Sequence, residues 1–164
     1  NEIVDEFVRD NFEGRKGIGC HVRGTDFAYA TATSVDKYFE VLDSLDDFHV
    51  FLATDQTQYV DMFREKYGDD RVITYDSLRS ETDVAAFEFE GVSPYKKGED
   101  VLVDTLLLSR TNGLIKCAAA GGEFALWFNE KLKVLHDFAL ESQFQKGGHW
   151  NRENTAFQRL GVNK

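Results

Sequence analysis

Short apolar runs alternate with stretches of helical period along most of the chain, and each run gives way to polar or small residues at its carboxyl end. Gly17 to Val22 passes into Arg23-Gly24-Thr25-Asp26, His49 to Ala53 into Thr54-Asp55, Val72 to Tyr75 into Asp76, and Gly113 to Cys117 into Ala118 to Gly122. Val134-Leu135 makes a fifth run. Between them, Ile3-Val4, Phe7-Val8 and Asn11-Phe12 repeat at helical spacing up to Gly14, and Val35, Tyr38, Phe39, Leu42 and Leu45 follow an N-cap at Ser34. Tyr59, Met62, Phe63 and Tyr67 mark a helix stopped by Gly68; further helices are read at Glu99 to Arg110 and through Glu123 to Phe128. Strands that alternate with helices pair in parallel through right-handed crossovers. The expected fold is therefore α/β, a Rossmann-like parallel sheet with helices on both faces.

The segment from Ser77 to Lys97 breaks this pattern and is read as a long loop, functional or mobile, holding the only proline, Pro94. A chain of 164 residues with 42% apolar content suffices for one well-buried domain. The formal charge of -10, with the 19 basic residues scattered, argues against nucleic acid or an anionic membrane as partner. Cys20 and Cys117 lie in apolar runs and read as buried thiols. His49, His136 and His149 lack metal-ligand spacing, so no metal is expected. No Gly-x-Ser-x-Gly elbow supports hydrolase chemistry. No run approaches about 18 apolar residues and no signal-like leader opens the chain. A cytoplasmic location is the first expectation; the opening on Asn1 is read as compatible with a fragment, with the Golgi lumen as the alternative should an anchor precede it.

In a parallel sheet the carboxyl ends of the strands share one rim, where ligands bind. His21 and Arg23 flank Val22 and fall on one side of their strand. Arg23 either pairs with Asp26 or grips a diphosphate through parallel charge-assisted hydrogen bonds, and His21 is either a satisfied core histidine or a donor to ribose or phosphate. Thr54-Asp55 either holds a ribose or structures the strand end, and Asp55, which precedes a helix, reads first as its cap. Gly121-Gly122 opens a helix whose amides and dipole suit phosphate, or else simply makes a turn. Asp104 lies in a leucine-rich helix, where an unpaired carboxylate is costly. It has a partner within the protein, or takes an edge position facing water, or accepts the two parallel donors of a guanine edge.

With these residues in view, the chain resembles the nucleotide-binding half of GDP-fucose-dependent fucosyltransferases, the group that includes the α-1,6, nodulation and protein O-fucosyltransferases. Three motifs carry the resemblance in order. They are Gly19-Cys20-His21-Val22-Arg23-Gly24-Thr25-Asp26, Val50-Phe51-Leu52-Ala53-Thr54-Asp55, and Gly98-Glu99-Asp100-Val101-Leu102-Val103-Asp104-Thr105-Leu106-Leu107-Leu108-Ser109. The resemblance implies the C-terminal, donor-binding half of a metal-independent, inverting GT-B glycosyltransferase. Residues 1–146 would form the GDP-fucose domain and 147–164 a polar tail, with an N-terminal acceptor-binding domain outside this chain. GDP-fucose would be the donor substrate, a glycan hydroxyl the acceptor, and no cofactor would be needed. Arg23 would bind the β-phosphate and stabilise departing GDP, His21 would contact the nucleotide, and Asp104 would read guanine. Asp26 and Asp55 would support the site, with Asp26 the candidate general base, and the amides of Ala120, Gly121 and Gly122 would form the phosphate turn. That turn usually carries serines, and Gly24 stands where the α-1,6 enzymes have a second arginine. Two alternatives stay open: another nucleotide-sugar glycosyltransferase of GT-B fold, and a non-catalytic nucleotide- or glycan-binding module.

Overall fold

The computed structural model describes residues 1–25 and 32–140; Asp26 and the tail expected at 147–164 lie outside the described residues. Five strands, β1 (Gly17–Val22), β2 (His49–Thr54), β3 (Val72–Ile73), β4 (Gly113–Lys116) and β5 (Val134–Asp137), form one sheet in the order β3-β2-β1-β4-β5. Every pairing is parallel. The helices are α1 (Glu2–Asn11), α2 (Val35–Asp43), α3 (Thr57–Tyr67), α4 (Pro94–Leu108) and α5 (Ala120–Phe128). The expected Rossmann-like α/β architecture is what the chain adopts. Strand order reverses direction between β1 and β4, which makes the carboxyl end of β1 the crevice where such sheets take ligands.

Alternation along the strands supplies two cores. Ile18, Cys20 and Val22 of β1, with Val50 and Leu52 of β2, pack against Tyr38 and Leu42 of α2 and Val60 and Phe63 of α3. Phe51 and Ala53 of β2 and Leu114 of β4 face the other way, against Val4 of α1, Leu107 and Leu108 of α4, and Ala125 and Leu126 of α5. His21 follows the second phase, so it emerges on the side of α4 and α5. No described helix is long and apolar enough to cross a membrane.

Local chemistry sets the element ends. Ser34 caps α2 by accepting from the Asp36 N–H, and Gly68 ends α3 at φ 87°. Helix α4 starts at Pro94 rather than Glu99, because Pro is suited to the first helical position and Ser93 accepts from the Lys96 N–H at 3.2 Å. Strand β3 is two residues long, shorter than its apolar run, since only Val72 and Ile73 pair with β2. The segment after it is anchored: the Ser80 N–H donates to Asp55 O at 2.8 Å, and Ser80 O accepts from the Thr57 N–H at 3.0 Å.

Two contacts fix where β1 leaves the sheet. Tyr38 is fully buried, its ring 4.7 Å from that of Phe138, and its O–H donates to His21 O at 2.8 Å. Gly24 passes under the start of α3 so closely that a Cβ there would lie 1.9 Å from Gln56 Oε1 and 2.5 Å from Tyr59 Cε2. Gln56 is itself committed, its Nε2 donating to Thr82 O at 2.8 Å. Any side chain at position 24 therefore competes with the packing of α3.

Denaturant unfolding should show Tyr38→Phe losing about 1–2 kcal/mol, the cost of one buried hydrogen bond, and Tyr38→Ala about 3–5 kcal/mol for the cavity as well. Gly24→Arg should cost about 1–3 kcal/mol through overpacking. Part of that loss should return in the Gly24→Arg, Gln56→Ala double variant, and no recovery there would refute Gln56 as the obstacle.

Candidate functional site

His21, Arg23, Thr54, Asp55, Ser77, Asp104, Ala120 and Gly121 line one cleft at the carboxyl ends of β1, β2 and β4. Apart from Gly122 and Asp26, these include every residue expected at the site, drawn from four separate parts of the chain.

Asp55 organises the exit from β1. Its Oδ1 accepts from the Gly24 N–H at 2.7 Å, and its Oδ2 accepts from the Thr25 N–H at 3.2 Å and the Thr25 hydroxyl at 2.5 Å. The same Oδ2 lies 3.0 Å from Arg23 Nε, which also donates to Thr25 O at 3.0 Å. Asp55 is thus an ion-pair partner of Arg23; the pairing with Asp26 that the sequence also offered lies outside the described residues. Asp55 does not cap the following helix: α3 has Gln56 at its N-cap, with no side-chain cap bond. The carboxylate is spent across the strands, holding an arginine at the switch point.

His21 sits beneath the first turn of α5. Its Nδ1 accepts from the Gly122 N–H at 3.1 Å, so in the neutral ring the proton resides on Nε2. Burial pushes its pKa down to about 4, with Lys116 and Arg23 acting in the same direction against Asp55. The ring is neutral at physiological pH. This close seating requires glycines, since a Cβ on Gly121 would lie 2.9 Å from His21 Nε2 and one on Gly122 would lie 2.9 Å from Lys116 Cβ. The Gly122 amide, read from the sequence as a phosphate donor, is occupied by the imidazole. Ala119 caps α5 without a side-chain bond, consistent with the run of small residues before it.

Asp104 has a partner within the protein on one of its two oxygens. Its Oδ2 accepts from the Ser77 hydroxyl at 2.7 Å, whereas its buried Oδ1 has no hydrogen-bond partner among the described residues. Burial pushes its pKa up to about 7, and the Ser77 hydrogen bond and the Arg79 cation oppose the rise. An enclosed carboxylate with one oxygen unsatisfied is costly without a ligand and suits one that brings N–H donors.

Three contributors escaped the sequence reading. Ser77 and Asp100 tie the segment after β3 to α4, Asp100 Oδ2 accepting from the Leu78 N–H at 3.0 Å and Oδ1 pairing with Lys96 at 2.6 Å. Lys116 is 1% exposed and pairs with Glu123 and, at 3.0 Å, with Asp137. A lysine inside an apolar strand was the available signal, but its carboxylates lie on separate elements. Among the described residues, no group of three or more His, Cys, Asp or Glu side chains could hold a metal.

No family model and no curated protein matches the sequence. Solved structures do match. One is a NodZ α-1,6-fucosyltransferase co-crystallised with GDP, 19% identical over 77% of this chain and 39% of that one, with a TM-score of 0.47. Another is the selenomethionine form of fucosyltransferase NodZ from Bradyrhizobium, 17% identical over 80% and 40% of the two chains, with a TM-score of 0.48. A third is NodZ soaked with GDP-fucose, 19% identical over 78% and 41%, with a TM-score of 0.47. The chain is similar to these structures over about two-fifths of their length.

Proposed function

We propose that this chain is the donor-binding half of a GT-B fucosyltransferase, moving L-fucose from GDP-fucose to a glycan hydroxyl with inversion and without a metal, together with an acceptor-binding domain. The observation that carries the reading is the unsatisfied Asp104 Oδ1 in the same cleft as Arg23. A carboxylate can accept two parallel N–H donors, which the N1–H and N2–H₂ edge of guanine offers and uracil and adenine do not. The three ordered motifs in the sequence support the same assignment.

In this scheme Asp104 receives the base and Arg23, steadied by Asp55, faces the diphosphate. Bond cleavage between fucose and the β-phosphate builds positive charge on the sugar and negative charge on departing GDP. A fixed guanidinium stabilises the latter at no reorganisation cost. His21, protonated at Nε2 and neutral overall, contributes a hydrogen-bond donor rather than a charge. The amides of Ala120 and Gly121 take the phosphate-turn role that Gly122 does not fill. Asp26 is kept as the general base for the acceptor hydroxyl. The absence of hydroxyls from Ala118 to Gly122 favours the non-catalytic binding module as second reading, which retains GDP binding without transfer.

Calorimetric titration tests the site directly. GDP should bind at least about tenfold more tightly than UDP or ADP, a gap of about 1.4 kcal/mol or more. Asp104→Ala should erase that selectivity, and Arg23→Ala should weaken all three diphosphates. Because protonation removes an acceptor from Asp104, GDP affinity should be level above about pH 7 and fall towards tenfold per unit below it. Wild-type selectivity in Asp104→Ala would sink the assignment.

A further inference from the structure

Helix α4 and the segment after β3 are joined by a directed chain of polar groups whose first two members, Arg79 and Ser77, lie outside the three motifs. Arg79 Nη2 donates to Tyr75 O at 2.7 Å and to Ser77 Oγ at 3.3 Å, and its Nη1 donates to Ser77 O at 3.2 Å. A serine hydroxyl carries one proton. Because Ser77 Oγ accepts from Arg79, its proton is left for Asp104 Oδ2, 2.7 Å away. Direction therefore runs from guanidinium to hydroxyl to carboxylate, and Asp104 Oδ1 stays uncommitted.

We infer that Arg79 and Ser77 are positioning residues, a relay that holds the Asp104 carboxylate by one oxygen and keeps the other for a ligand in the cleft. The identity of that ligand as a guanine nucleotide rests on the function proposed above; the relay itself does not. Charge in the vicinity makes such a relay necessary. Asp100, one turn earlier on α4, repels Asp104, while Lys97 on α4 is occupied by Phe87 O and Phe89 O. From the segment after β3, Asp76 faces Arg79. Arg23, paired with Asp55, and neutral His21 come from the β1 and β2 ends, and α5 brings uncharged Ala120 and Gly121. Arg79 is the cation that favours the charged form of Asp104, and burial lowers its own pKa, so its charge acts at short range in a poorly solvated place.

The test is a carboxyl ¹³C NMR titration of Asp104 in the full chain without nucleotide. Ser77→Ala and Arg79→Gln should each raise the Asp104 midpoint by about one pH unit, a tenfold gain in proton affinity. Arg79→Lys, which keeps the cation, should stay near wild type. A Ser77→Ala midpoint equal to wild type, or an Arg79→Lys midpoint displaced as far as that of Arg79→Gln, overturns the relay. Should Arg79→Gln not fold, Ser77→Ala decides, since it deletes one oxygen. Failure of GDP to bind would count against the proposed function and leave this titration intact.

Discussion

The site depends on one carboxylate placed between two strand ends. Strand β1 leaves the middle of the sheet at its topological switch point, where no further strand residue continues the ladder, and its peptide groups need partners. Asp55, at the end of the adjacent β2, supplies them: Gly24 and Thr25 amides, the Thr25 hydroxyl and the Arg23 guanidinium all converge on its two oxygens. Four donors on one carboxylate fix the turn, and the turn fixes the cation. Parallel register makes this possible, because Val22 lies opposite Thr54 and the two chains exit side by side.

Around that clamp the fold tolerates several electrostatic costs in a small volume. Lys116 is buried against two carboxylates, which offsets its desolvation only if both ion pairs are well made. His21, the register partner of Lys116, is kept neutral and accepts from the amino end of α5. Close approach of α5 to both side chains explains why two glycines stand in its first turn, behind an N-cap, Ala119, that offers no side-chain oxygen. The same pair of glycines thus serves packing first; only Gly121 and Ala120 still border the cleft.

How far the sequence revealed this site follows from the range of each interaction. Strand ends, helix periods and the common rim were legible because they depend on local apolar patterning, and the side shared by His21 and Arg23 follows from strand geometry alone. Asp55 read first as a cap rather than as a structural group of the strand end because its partners lie about thirty residues earlier, just beyond β1. Asp104 was legible as an anomaly, a carboxylate in an apolar helix, yet whether it had a partner depended on Ser77, in a stretch without period. The start of α4 at Pro94 was masked for a similar reason: the cap and the proline were present, but no apolar repeat announced the first turn. Gly24 looked like a missing arginine, whereas the fold shows a position that α3 leaves no room to fill.

The two perturbed groups of the cleft also balance each other. Folding lowers the pKa of His21 from its ordinary 6.5 to about 4, so its contribution to stability is lost as pH falls through that window. Folding raises the pKa of Asp104 from 3.8 to about 7, so its contribution is fully present below 3.8 and is lost as pH rises towards 7. Between about pH 4 and 6.5 the unfolded chain holds a charged histidine and a charged aspartate, and the folded cleft holds both neutral. Net charge is the same in the two states, and the opposing slopes largely cancel. Above pH 7 the cancellation ends: His21 is neutral in either state, and Asp104 is ionised inside the cleft with an oxygen unsatisfied. The fold therefore carries the full desolvation cost of the Asp104 carboxylate only above about pH 7, where no protonated histidine in the unfolded chain offsets it.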